Sequence, residues 1–173
     1  MRIKSIATTL LLILTIALGF AQTKEDALKD AQMAAEGTLS EDFDTVLKYT
    51  LPEIIEVMGG KENAKNTIVQ TYDTMKSQGF KIERAEILEV SEIVKEQGQS
   101  RCLVKSYNVM VMSGQRLKST SHLLGIYDDN AKHWKFIEAK QLKNPGLTSQ
   151  ILPDFKTEMD IPDDQVDMEP VKN

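Results

Sequence analysis

Cysteine and histidine are scarce in this sequence, and they are the side chains that most often build transition-metal centres. Cys102 is the only cysteine, so no disulfide can form within the chain, and His122 and His133 are the only histidines. None of the three has a second ligand at the short spacing typical of a zinc site. We therefore predict no metal and no cofactor.

Motifs for nucleophilic catalysis and for phosphate binding are also missing. Gly59-Gly60 lacks the spacing of a phosphate-binding loop, and Ser113-Gly114 is not part of a G-x-S-x-G sequence. The first pair is typical of a helix end and the second of a turn. Neither pair indicates an enzyme.

The start of the sequence has the pattern of a secretory signal peptide. Arg2 and Lys4 precede an apolar run over residues 6–20, and Gly19 and Ala21 are the small residues that signal peptidase recognises. A membrane anchor is the alternative, but a bilayer span needs roughly 20 apolar residues and this run is shorter. We expect cleavage after Ala21 and an exported protein, periplasmic or secreted, with no membrane segment left.

Removal of the signal peptide makes the chain more acidic. Arg2 and Lys4 leave with residues 1–21, so the net charge changes from −5 to −7. Such a chain is not expected to bind nucleic acid or an anionic membrane surface. The remaining residues, 22–173, are enough for one domain with its own core. Cys102 lies in an apolar stretch, and we expect its thiol to be buried.

The first half of the mature chain is predicted to be helical. Thr23 and Asp26 have the spacing of a capping box, and Gly37 is a typical helix end. Residues 50–53, Thr-Leu-Pro-Glu, have the pattern of a further helix start with Thr50 as its cap. A longer helix follows and ends at Gly79.

Beyond Gly79 the pattern changes to that of β-strands. Residues 101–112, 116–127 and 133–139 are rich in strand-forming residues and are separated by turn sequences. Residues 80–96 fit a strand or a helix, and the hairpin signals around them favour a strand. Short connections favour an antiparallel meander. The expected fold class is α+β, with N-terminal helices packed on a curved antiparallel meander of about four long strands.

The last residues, 153–173, have the composition of a flexible acidic tail. They include seven acidic and two basic side chains and few apolar ones. Such a segment buries too little apolar surface to offset the entropy lost on ordering. A docking segment for a basic partner is the alternative. We therefore predict a signal peptide over 1–21, a single α+β domain over 22–152, and the tail.

The order of helices followed by a meander resembles the nuclear transport factor 2-like superfamily, also called the SnoaL-like or cone fold. The segments that carry the resemblance are Asp42-Phe43-Asp44, residues 49–53, Gly59-Gly60, the helix through Tyr72 to Gly79, and Trp134-Lys135-Phe136. The resemblance implies early helices, a longer helix through Tyr72 lying across the sheet, and a last strand with Trp134. A cystatin-like fold, a helix wrapped by a meander, is the alternative.

The resemblance also implies a pocket between helices and sheet. The residues predicted to line it are Tyr49, Tyr72, Tyr107, His122 and Trp134. Because none maps onto a catalytic motif, the leading hypothesis is an exported, non-enzymatic domain that binds a small apolar ligand or associates with a protein. The alternative is a small isomerase or lyase with an acid/base residue in the pocket. A buried, hydrogen-bonded pair among Asp44, Tyr72 and His122 would favour chemistry.

The strand over residues 101–112 has apolar residues in both of its alternating sets, so both of its faces need a cover. The sets are Leu103, Val109 and Val111, and Val104, Met110 and Met112. Helices would cover one face, and the tail or a second subunit the other. Since members of the resembled superfamily often pair through the outer sheet face, we predict a homodimer.

Overall fold

The computed structural model describes residues 22–171, and it confirms helices followed by an open, curved antiparallel sheet. The predicted signal peptide, residues 1–21, lies outside the described residues. Within residues 22–171, no helix combines the length and the apolar character that a membrane span requires.

In the described part of the chain, helices α1 Lys24–Leu39, α2 Phe43–Tyr49, α3 Pro52–Val57 and α4 Lys61–Ser77 come first. The strands that follow are β1 Lys81–Val90, β2 Val94–Glu96, β3 Gln99–Met112, β4 Gln115–Asp128 and β5 His133–Glu138. A 3₁₀ helix, Ala139–Lys143, and helix α5, Pro145–Ile151, lead to β6, Gln165–Pro170. The prediction of strand over residues 80–96 is confirmed for Lys81–Val90 and Val94–Glu96, and residues 91–93 between them are not strand.

The sheet has the order β1-β3-β4-β5, and its strand pairs are antiparallel. β2 pairs with the start of β3, and β6 pairs with Gln115–Thr120 of β4, which β5 does not reach. The turns Gln97-Gly98 and Ser113-Gly114 close two hairpins, and both residues of each turn have positive φ. This is the geometry that two-residue hairpins need to match the twist of their strands.

The two faces of the sheet have separate apolar covers. Helix α1 packs on one face, here called the helix face, through the small side chains Ala27 and Ala31 against Val104 and Phe136. Cys102 lies in this core and is fully buried, as predicted. On the other side, here called the outer face, the residues of β3, β4 and β5 pack on helix α5 and on the chain that follows it; they are Leu103, Leu124, Ile126 and Ile137.

The helix boundaries differ from the predicted ones where the helices meet other elements. The capping box of α1 is confirmed. Gly37 does not end α1 but lies within it. A glycine suits this position because a Cβ there would be only 3.0 Å from Thr45 of the adjacent helix α2. Thr50 does not cap α3. It ends α2, and its neighbour Leu51 donates its N–H to the Phe136 carbonyl of β5 at 3.2 Å.

The helix that lies on the sheet is α1, not the longer helix through Tyr72 that the resemblance implies. Helix α4, which contains Tyr72, packs mainly on α2 and α3. The Tyr72 ring lies between Phe43 and Phe80, with ring centroids 5.4 and 5.7 Å away. The sequence alone does not distinguish the two helices, since both have an apolar stripe of helical period.

Residues 153–171 are packed on the sheet, so the prediction of a free, flexible tail is corrected for this part of the chain. Phe155, Met159 and Ile161 join the apolar cluster on the outer face. The backbone N–H groups of Lys156 and Glu158 donate to side chains of the β2–β3 hairpin at 2.9 Å each. The few apolar residues suffice because the sheet supplies both an apolar surface and hydrogen-bond partners. The tail thus covers Leu103 itself, and the homodimer stays a prediction.

Candidate functional site

A cavity of about 430 Å³ lies between helix α1 and the helix face of the sheet. This volume falls within the roughly 300–1,000 Å³ typical of small-molecule sites. Small side chains on facing elements leave the space open, notably Ala34 and Ala35 on α1 and Ala85 on β1. Larger apolar side chains complete the wall, and they include Tyr49, Ile82, Ile87, Met110, Leu123 and Phe136.

Few polar side chains line the cavity. They are Thr38, Thr50, Ser106, Asn108, Glu138 and Gln141. Glu138 is the only carboxylate among the described lining residues, and no lysine, arginine or histidine accompanies it. The cavity is therefore an apolar space with one acidic group and a few neutral hydrogen-bonding groups.

Glu138 reaches the cavity because it ends strand β5 in the same alternating set as Trp134 and Phe136. Its register partner Leu123 also lines the cavity. The Oε2 atom of Glu138 is buried and has no hydrogen-bond partner among the described residues. Burial raises the pKa of this carboxyl, since the apolar surroundings disfavour its charged form.

The hydroxyl of Ser106, which lines the cavity, is already paired with the hydroxyl of Ser121. Ser106 and Ser121 lie directly opposite on β3 and β4, both buried, with their Oγ atoms 2.9 Å apart. The Ser106 hydroxyl also lies 3.3 Å from the Ser121 carbonyl. Glu138, in contrast, keeps an oxygen without a hydrogen-bond partner among the described residues, so a bound ligand could pair with it.

Of the predicted pocket residues, Tyr49 lines the cavity and Trp134 lies in the core beside it. Tyr49 is buried, and the Lys48 ammonium lies 3.3 Å from its hydroxyl. Trp134 is fully buried against Tyr127, with ring centroids 5.6 Å apart, and its backbone N–H donates to Asp30 at 2.8 Å. Trp134 therefore does not line the cavity but packs in the core next to it.

Tyr107 and His122 lie on the outer face, so the prediction that they share the pocket is corrected. Tyr107 neighbours Ser106 in sequence and therefore projects from the opposite side of β3, where the Arg84 guanidinium lies 5.3 Å from its ring. His122 pairs with Lys105 and has a buried Nδ1 without a partner among the described residues. Burial, aided by Lys105, lowers the pKa of His122.

No hydrogen-bonded pair forms among Asp44, Tyr72 and His122, the arrangement that would have favoured catalysis. Asp44 is exposed on α2 and forms salt bridges with Lys61 and Lys65. Tyr72 lies among helix residues, and His122 lies on the other face of the sheet. These three side chains are thus separated by the helices and by the sheet itself.

The sequence carried a signal for Glu138 that the prediction missed. Trp134, Phe136 and Glu138 alternate along one strand, and two of the three are large apolar residues. A carboxylate in the third position of such a set faces the core side, where it must be paired, protonated or functional.

Residues 22–171 hold no group of three or more His, Cys, Asp or Glu side chains arranged to bind a metal. None of the protein-family models compared with the chain matches it. None of the curated proteins compared with it matches either. The fold and the cavity together define the chain as an α+β domain with a ligand-sized, mainly apolar cavity.

Proposed function

We propose that this protein is an exported, non-enzymatic domain that binds a small, mainly apolar ligand in the cavity between α1 and the sheet. The observation that carries the proposal is the cavity itself, with its aliphatic wall and few polar groups. The order of helices and curved sheet supports the resemblance to the nuclear transport factor 2-like superfamily, which we include in the proposal.

The composition of the cavity wall indicates which residues would supply the binding affinity and which would orient the ligand. Each ligand methylene that leaves water for the cavity contributes about 0.8 kcal/mol. The aliphatic residues of α1, β1 and β3 would supply this term. Asn108, Gln141 and Glu138 would fix the orientation of a polar end, because polar groups are costly to bury without partners.

The test is to fill the cavity and to measure binding of a neutral, environment-sensitive dye by fluorescence. Ala85→Phe places a ring in the cavity, and we expect dye affinity to fall at least about tenfold, equivalent to about 1.4 kcal/mol. Leu88→Phe is the matched control, since Leu88 lies on the same strand, does not line the cavity and is 51% exposed. Circular dichroism checks that both variants fold. Equal dye binding by wild type and Ala85→Phe would refute the proposal.

Acid–base catalysis is the second candidate function, and Glu138 is the observation that favours it. A carboxyl with a raised pKa in an apolar cavity is suited to proton transfer in an isomerase or lyase. If the protein is such an enzyme, a ligand recovered from the native host will be converted by the wild type. Glu138→Gln would then slow turnover by about 10² or more. Binding without conversion would favour the non-enzymatic proposal.

Export and self-association are part of the proposal and have separate tests. Sequencing of the mature N-terminus should find Gln22 first; a start well before it would contradict cleavage after Ala21. Light scattering at micromolar concentration should give the mass of a dimer if the outer face pairs. A monomer mass would remove the homodimer.

A further inference from the structure

We infer that the cavity selects a ligand with a cationic amino group, which the Glu138 carboxylate would bind while the apolar part of the ligand fills the cavity. This inference rests on the proposed function and adds the chemical class of the ligand. It also makes Glu138 the residue that determines specificity.

The first argument is that one carboxyl oxygen of Glu138 has no hydrogen-bond partner among the described residues. Its Oε2 atom is buried and accepts no hydrogen bond from the described residues. The charge of Lys140 acts on Glu138 without a hydrogen bond to its Oε2 atom; Lys140 itself is 60% exposed and forms a salt bridge with Asp164 at 3.2 Å. A buried carboxylate is costly unless it is paired, so a cation that enters the cavity would relieve that cost.

The second argument is the charge balance of the wall. The described lining residues include one carboxylate and no lysine, arginine or histidine. A ligand with a carboxylate or phosphate head would face Glu138 without any basic side chain to bind it. An ammonium group instead gains a charge-assisted hydrogen bond, which is about twice as strong as a neutral one.

The third argument is that the other polar groups do not compete for this role. Ser106 is paired with Ser121, and the remaining lining groups are neutral amides and hydroxyls. They can accept or donate hydrogen bonds but offer no charge. The head of the ligand is therefore expected at the end of β5, with the apolar part directed toward the aliphatic residues of β1 and β3.

The experiment compares three ligands with the same ten-carbon chain and different heads: decylamine, decanol and decanoate. Each is titrated at neutral pH against wild type, Glu138→Gln and Glu36→Gln by displacement of the neutral dye. Glu36 is an exposed residue of α1 that does not line the cavity, so Glu36→Gln removes the same charge without changing the site.

We expect the wild type to bind decylamine at least about tenfold more tightly than decanol, with decanoate weakest, since a hydrogen bond to a charged group is worth about 1.5–3 kcal/mol. Glu138→Gln should bind decylamine and decanol within about threefold of each other. Glu36→Gln should keep the wild-type preference.

Two kinds of failure are distinguishable. If decanol or decanoate binds the wild type as tightly as decylamine, or if Glu138→Gln keeps the amine preference, the inference is overturned. The proposed function then still stands when Ala85→Phe weakens dye binding. If Ala85→Phe leaves dye binding unchanged, the proposed function fails and the inference fails with it.

Discussion

The Arg101 guanidinium donates a hydrogen bond to the backbone carbonyl of Lys156 at 2.8 Å. Through this contact, strand β3 holds the segment that leads from α5 to β6. Arg101 is 2% exposed, and its guanidinium also donates hydrogen bonds to the Gln99 side-chain carbonyl at 2.6 Å and to the Glu96 carboxylate at 3.2 Å. The Phe155 ring lies 4.7 Å from the guanidinium carbon. One buried side chain therefore joins the hairpin β2–β3 to the C-terminal segment.

Arg101→Met should destabilise the protein by about 3 kcal/mol, because removal of one partner of a buried charged network leaves the others unpaired. The C-terminal segment should also become more accessible. Urea unfolding measures the first effect, and hydrogen exchange of residues 153–171 the second. The matched control is Arg84→Met, which removes an exposed salt bridge to Glu86 and the contact with the Tyr107 ring. Its cost should stay below about 1 kcal/mol. Equal costs for the two variants would contradict the role of Arg101.

Gly125 on β4 is packed too closely for any side chain. A Cβ at this position would lie 2.9 Å from the Cys102 Sγ and 3.1 Å from a Phe136 ring carbon. Gly125→Ala should therefore cost about 1–3 kcal/mol of stability in urea unfolding. Cys102→Ala in the same chain should recover part of that loss, because it removes the nearest atom.

The control for Gly125→Ala is Gly146→Ala in α5, where the nearest atom to a new Cβ, the Asn144 Oδ1, is at an ordinary 3.5 Å. This change should be nearly neutral or slightly stabilising, since alanine favours the helix. A double variant no more stable than Gly125→Ala would show that the Phe136 contact dominates.

The Cys102 thiol should be inert in the folded protein. Burial raises its pKa from 9.0 to about 12, so the thiolate fraction falls about 10³-fold, and the sulfur is also shielded. Labelling by a disulfide reagent at pH 8 should be slow for the native protein and fast in denaturant. Thr71→Cys, at an exposed position of α4, provides a thiol that labels at once. Rapid labelling of native Cys102 would mean that the core opens readily.

Glu138 should make stability depend on pH in a defined direction. Burial raises the pKa of this carboxyl in the folded protein above its value in the unfolded chain. The stabilising effect of its protonation is therefore fully present at pH values below the range in which an ordinary glutamate titrates. That contribution is lost as pH rises through the raised pKa. Between about pH 4 and pH 8, Glu138→Gln should therefore gain stability relative to the wild type. Urea unfolding across this range measures the difference, and Glu36→Gln should show no such trend.

The parts of the fold that depend on nearby residues could be predicted from the sequence. The capping box of α1 needs only Thr23 and Asp26, and the turns need only short pairs such as Ser113-Gly114. Their geometry is decided within a few residues. The place of β6 could not be predicted in the same way. It depends on β5 being shorter than β4, which leaves Gln115–Thr120 free to pair with a distant segment.

The site was predictable only in part, for a related reason. Alternation in β3 shows that Tyr107 lies on the face opposite Ser106, but both alternating sets of this strand are apolar. The sequence therefore does not show which set faces the helices. The assignment requires the packing of α1 on Val104, which only the folded structure provides.

The pairing of β6 with β4 has a consequence for solubility. Without residues 165–170, the backbone N–H and C=O groups of β4 from Gln115 to Thr120 would be open to strands from other molecules, and such open borders of a sheet promote aggregation. Strand β6 adds the carboxylate of Asp167 to this border, while Glu169 forms a salt bridge with Lys118 of β4 at 2.9 Å. Deletion of β6 should therefore raise the tendency of the folded domain to aggregate, because it uncovers these backbone groups of β4.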